Sequence, residues 1–247
     1  MGQSFELPHE AVVEATPEEV WEAISTGPGI DSWFMGRSDV ADGVVRTAFL
    51  HGELPPSTVT AAEPLQRLAH SSDKADDGRF VAYEFLVEGR GQGSTLVRMV
   101  TSGFLPGDDW HDEFEAMSLG IELFFATLAE HLSHFAGRAA RPVTAFGPMV
   151  HDWPRAWQTL YAALGGPPSP GDRVRFGPVE RPVEGVVYVR NSQTLGIRAD
   201  NAVYRFLQGF NGPMIAAHVL FDGPDEGPLW QAWLKELYAD DGAVGCG

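Results

Sequence analysis

The sequence predicts an α+β protein built as a degenerate tandem duplication. Three observations carry this. A capped helix near the start is followed by a long stretch of period-two alternation between Val44 and Phe104. A long amphipathic stripe then runs from about Asp109 to Phe135. After Pro142 the order strand, helix, several strands, helix comes round again in weaker form.

Phe5–Glu14 mixes apolar and polar residues and reads as a first strand. Thr16 is placed to cap a helix, with Pro17 at its first position and Glu19 completing a capping box; Glu18 adds charge the helix dipole favours. Val20, Trp21 and Ile24 follow at helical spacing, and Gly27-Pro28-Gly29 ends the helix. A short second helical turn carries Ile30, Trp33 and Phe34. The clearest strands are Arg79–Val87 and Ser94–Phe104, joined by the glycine-rich hairpin loop Glu88–Gly93. Val81, Tyr83, Phe85 and Val87 share one face, and Val97, Met99, Thr101 and Gly103 share the face that meets it. Arg98 falls on the opposite face. In the long helix Trp110, Phe114, Met117, Ile121, Phe125, Leu128, Leu132 and Phe135 recur at spacings of 4, 3, 4, 4, 3, 4 and 3. Gly120 inside it predicts close backbone packing, and Gly137 stops it.

Gly137–Pro142 reads as a linker. Beyond it, Val143–Phe146 is a strand, and Pro154, Trp157 and Leu160 echo Pro17, Trp21 and Ile24. Strands follow at Arg173–Phe176, Val186–Arg190, Leu195–Ala199, Ala202–Gln208 and Met214–Phe221. An acidic turn, Asp222–Glu226, leads into a last helix over Pro228–Tyr238, and Ala239–Gly247 reads as a mobile tail.

Composition narrows the function. The chain has 247 residues, 44 % of them hydrophobic, and a formal net charge of -17 from 17 basic and 34 acidic residues. Such a charge repels phosphate backbones and anionic membrane surfaces, so nucleic acid is not an expected partner and the expected ligands are neutral, apolar or cationic. Cys246 is the single cysteine, so there is no intrachain disulfide and no cysteine cluster for zinc. No stretch approaches the ~20 apolar residues of a membrane helix, and the first residues lack a signal-peptide core. These features predict a cytoplasmic, soluble protein without membrane insertion and without a cofactor.

Two motifs carry a family resemblance. Pro17-Glu18-Glu19-Val20-Trp21-Glu22-Ala23-Ile24, followed by Trp33-Phe34, resembles the opening of START-like, Bet v 1-like (SRPBCC) proteins, in the branch named after the activator of Hsp90 ATPase. Thr101-Ser102-Gly103-Phe104 and then Gly120-Ile121, Phe125, Leu128, His131 and Leu132 resemble that branch's last strand and final helix, with Ile121 where an aromatic is usual. The resemblance covers about residues 1–137. It implies a helix-grip domain there, in which a curved antiparallel sheet wraps the C-terminal helix and encloses a cavity, and a second, degenerate half over 143–239. It puts Trp33 and Phe34 at the cavity rim, with Tyr83, Phe85, Met99, Thr101, Trp110, Phe114, Met117 and Ile121 as ligand contacts. The implied function is to hold a hydrophobic, polycyclic natural product, in secondary-metabolite biosynthesis or self-resistance. Two alternatives stand beside it. One is a polyketide cyclase or aromatase using Tyr83, His111 or His51 as an acid–base group, with His111-Asp112 as a pair at the pocket mouth. The other is a co-chaperone-like interaction module, which a filled core would favour. His131 and His134, three apart on a helix, have no evident third metal ligand and read as a polar face.

Overall fold

The computed structural model describes residues 2–49, 52–108, 110–209, 212–221 and 224–239. The described chain divides into two compact units, Met1–Ala140 and Arg141–Gly247.

The first unit opens with β1 (Gln3–Val13) and two short helices, α1 (Pro17–Ser25) and α2 (Gly27–Asp31). The capping box closes α1: the Glu19 N–H donates to Thr16 Oγ1 at 3.3 Å, and the Thr16 N–H donates to the Glu19 carboxylate at 2.8 Å. Gly27-Pro28-Gly29 does more than end this helix. It forms the first turn of α2, capped by Thr26, whose hydroxyl accepts from the Gly29 N–H at 3.0 Å. Gly29 is required by close approach, since a Cβ there would land on the Glu22 carbonyl oxygen and 2.8 Å from Ala23 Cα.

Seven strands follow: β2 (Arg37–Ala41), β3 (Val44–Phe49), β4 (Gly52–Glu53), β5 (Ser57–Glu63), β6 (Arg67–Ser72), β7 (Phe80–Gly91) and β8 (Ser94–Leu105). The antiparallel order is β1-β8-β7-β6-β5-β3-β2, with β4 beside β3. β2 begins before the alternation was expected to. β7 and β8 run further into the hairpin than the glycines suggested, leaving Gln92-Gly93 as the turn. Pro8 is tolerated in the middle of β1 because β1 is an edge strand. Gly103 on β8 packs so tightly that a Cβ would meet the Phe80 carbonyl and the Phe5 ring.

α3 (Trp110–His134) packs on β1 and β8. Phe5 meets Phe114 at 5.8 Å between ring centroids, and His9 meets Phe125 at 5.4 Å. Its second half is buried beyond the one expected stripe, because Leu123, Phe124 and Thr127 join Ile121, Phe125, Leu128 and Leu132. Gly120 corrects an expectation. The nearest atom to a Cβ there is the edge of its own helix's Phe124 ring at 4.0 Å, so no close backbone packing explains it.

The second unit runs β9 (Arg141–Met149), α4 (Trp153–Ala163), β10 (Arg173–Phe176), β11 (Val183–Arg190), β12 (Thr194–Arg198), β13 (Ala202–Gln208), β14 (Pro213–Leu220) and α5 (Gly227–Leu237). β9 already starts at Arg141, so Arg141-Pro142 belongs to a strand and not to a linker. Its sheet order is β9-β14-β13-β12-β11-β10. In both units the first strand pairs with the last, the order then walks back through the chain, and a helix follows each end of the sheet. That shared topology is a tandem duplication at the level of fold, with the second copy shorter. Its core is packed with rings: Trp230 lies 6.0 Å from Phe176 and 4.4 Å from His218, and its indole N–H donates to Glu226 at 3.0 Å.

No helix among the described residues is long and apolar enough to cross a membrane. His51, Cys246, Asp222 and Gly223 of the acidic turn, and residues 240–247 of the tail lie outside the described residues.

Candidate functional site

The inner face of the first sheet is set by register. Across β6, β7 and β8 the opposed positions are His70–Tyr83–Thr101, and the next row is Leu68–Phe85–Met99. α1 and α2 close one end of this face, so the GPG turn carries Ile30, Trp33 and Phe34 inward. Trp33 is 4 % exposed, and its indole N–H donates to the Ala23 carbonyl at 3.0 Å. It is therefore a buried anchor of the wall and not a rim residue.

Between these elements lies a cavity of about 50 Å³, open to solvent on one side. Ile24, Ile30, Trp33 and Phe34 line it from the helical end; Val45, Thr47 and Ser57 from β3 and β5, with Pro55 from the loop before β5; and His70, Tyr83 and Phe85 from β6 and β7. The Phe34 ring sits 4.9 Å from Phe124 and 6.3 Å from Tyr83, filling space toward α3. The His70 ring stacks on Tyr83 at 5.2 Å and 27°. Burial pushes the His70 pKa down to about 4 and the Tyr83 phenol up to about 12, so both are neutral near pH 7. His70 Nδ1 is buried without a hydrogen-bond partner, and so is Thr101 Oγ1. The site can thus offer apolar ring faces and neutral hydrogen-bonding groups.

Of the ten expected contacts, Trp33, Phe34, Tyr83 and Phe85 line the cavity. Met99 and Thr101 share the inner face but are fully covered. Trp110, Phe114, Met117 and Ile121 do not line it, because α3 packs over β1 and β8 whereas the cavity lies across the sheet beneath α2, β3 and β5. Phe124 is the α3 residue that reaches Phe34. His111 and Asp112 are both exposed and away from the cavity. His131 is not on a polar face: it is 5 % exposed, and burial pushes its pKa down to about 4. His134 is half-exposed, 3.5 Å from Glu130. Sequence reading missed His70 and Phe124. The signal for His70 was present in the alternation of Leu68, His70 and Ser72, diluted by its polar composition.

A sheet gripping a terminal helix, with two short helices over one end and a cavity beneath them, decides the fold. The first unit has a helix-grip fold, as the sequence resemblance implied. No protein-family model matches the chain, and no curated protein matches it. Solved structures do. Protein MLL2253 from Mesorhizobium loti is 22 % identical over 53 % of this chain and 98 % of its own, with a TM-score of 0.44. The Aha1 dimer protein from Colwellia psychrerythraea is 19 % identical over 52 % and 96 %, with a TM-score of 0.42. Both span about half of this chain. The di-domain ARO/CYC BexL from the BE-7585A biosynthetic pathway is 14 % identical over 96 % and 93 %, with a TM-score of 0.44. With each TM-score below 0.5, the helix-grip assignment stands on the strand order and helix placement.

Proposed function

We propose that this protein binds a hydrophobic, aromatic small molecule in the cavity of its helix-grip unit. The observation that carries this is the wall itself: Trp33, Phe34 and Phe85 supply ring faces, and His70 and Tyr83 supply neutral polar groups with no partner of their own in the cavity. An apolar concavity with a few polar groups is the usual form of a ligand site. At about 50 Å³ the cavity is roughly a third of the ~150 Å³ void that holds benzene in an engineered protein core, so a ring enters only as the wall yields. The finer reading, a polycyclic natural product in biosynthesis or self-resistance, rests on the superfamily resemblance and needs a larger opening of the wall. In this proposal the unit over 143–239 is the worn copy, whose interior Trp230 fills.

The test is a ¹⁵N–¹H NMR titration of the purified chain with fatty acids, flavonoids, linear polyketides and enediyne-like polycycles. Saturable shifts of the Trp33 indole and of Tyr83, with the Trp230 indole unmoved, are expected. No movement at Trp33 with any compound would sink the proposal. A second reading is favoured by the stacked pair His70 and Tyr83, two neutral proton donors side by side that could act as a general acid. It predicts product peaks during the titration that His70→Gln or Tyr83→Phe abolishes while binding persists.

A further inference from the structure

We infer that the cavity accepts only uncharged ligands, and that their polar edge is a hydrogen-bond acceptor such as an aryl carbonyl, received by His70 and Tyr83. The inference deepens the binding reading above and rests on it. Its first support is what the wall lacks. Among the described residues, those lining the cavity are aliphatic, aromatic or hydroxyl-bearing apart from His70, and none is Asp, Glu, Lys or Arg. A buried anion or cation without an opposite charge is strongly disfavoured.

His70 does not rescue an anion. Burial holds its pKa down to about 4, so pairing with a carboxylate near pH 7 needs a proton taken up well above that value, which weakens such binding. Nor does the net charge of -17 rescue a cation, because no carboxylate among the described residues lines the cavity.

The second support is the orientation of His70. Nδ1 is sealed and has no partner. A sealed N–H without an acceptor is the costlier and rarer state, whereas an under-satisfied acceptor is better tolerated. We therefore assign the proton of the neutral ring to Nε2, the ring nitrogen left to meet the cavity. The Tyr83 hydroxyl, on the directly opposed position of β7, rotates to donate as well. Two donors on neighbouring strands suit the two lone pairs of one carbonyl oxygen. Fatty acids and aromatic acids are excluded on charge, and plain hydrocarbons forgo the polar edge.

The test uses one ring size and four edges: acetophenone, benzoate, benzylammonium and ethylbenzene, each titrated at pH 7 into the intact chain and followed at the Trp33 indole. Acetophenone is expected to bind at least about tenfold more tightly than either ion and measurably more tightly than ethylbenzene; tenfold corresponds to about 1.4 kcal/mol. Benzoate or benzylammonium matching acetophenone would overturn the charge rule. Ethylbenzene matching acetophenone would overturn the role of the polar edge. Silence from all four while a compound of the larger panel above shifts Trp33 overturns this inference alone, whereas silence from both panels removes the binding reading with it. A ¹⁵N-imidazole spectrum of the wild-type chain checks the tautomer without any substitution: Nε2–H is expected at His70, and Nδ1–H contradicts the assignment.

Discussion

Trp33 is held from two sides, by its hydrogen bond to the Ala23 carbonyl and by an edge contact with Phe85 at 5.9 Å. Trp33→Phe removes the donor and leaves that carbonyl short of a partner, so a loss of about 1 kcal/mol is expected in urea denaturation. Gly120→Ala should act in the opposite direction. Open space surrounds the missing Cβ, so the helix gains up to about 1 kcal/mol, read as a higher thermal midpoint. The buried histidines set a pH dependence. His70 and His131 titrate near 4 in the folded chain, against 6.5 when free, and His218 is pushed well below 6.5 by burial and by nearby Arg205. Above pH 6.5 neither state takes up these protons. Between 6.5 and about 4 the unfolded chain takes up protons that the folded chain refuses, so stability falls as pH falls. Each fully buried ring contributes at most about 1.4 kcal/mol per pH unit. The urea midpoint should be lower at pH 5 than at pH 7, and an unchanged midpoint would mean that the rings charge in place. Residue identity at the site was legible where alternation and hydrophobicity agree, as at Tyr83 and Phe85. It was not legible at Met99 and Thr101, because alternation gives the face of a strand and not what covers it. Nor was it legible at His70, because a histidine between Ala69 and Ser71 carries no apolar signal of its own.

At the scale of elements, α2 is the part that propensity could not foresee. Its five residues include two glycines and a proline, a composition that reads as a break. It is helical because Thr26 caps it and because the glycines let its backbone lie against α1 and β2. Gly27 packs on the Ser38 carbonyl as Gly29 does on that of Glu22. Gly29→Ala is therefore expected to cost several kcal/mol and to shift the Trp33 indole resonance, since Trp33 follows directly on this helix. A normal spectrum with unchanged stability would mean that α2 can lift without disturbing the wall. The long elements were legible for the opposite reason. α1, α3 and the β7–β8 hairpin each combine a period with a start or stop signal, so local preference and final packing agree.

At the scale of the molecule, the two units repeat one topology with different interiors. In the first, Tyr83 on β7 opposes Thr101 on β8 beside open volume. In the second, Tyr204 on β13 meets His218 on β14 at 4.9 Å, and Trp230 closes the space above them. The repeat was legible as an order of elements. The difference was not, since it lies in how Phe176, Phe206, Trp230 and Trp233 pack together, which alternation does not reveal. Trp230→Ala is expected to cost about 3–5 kcal/mol while leaving ligand shifts at Trp33 in place. Loss of those shifts in a folded variant would assign binding to the second unit. An uncharged cavity wall in a protein of net charge -17 also has a kinetic consequence. A neutral visitor is not steered by that field, so it arrives at the unassisted diffusional rate and its association should stay flat as ionic strength rises. In the proposed binding, exchange would then be timed by local opening of the cavity wall and not by how far the protein's charge reaches into solution.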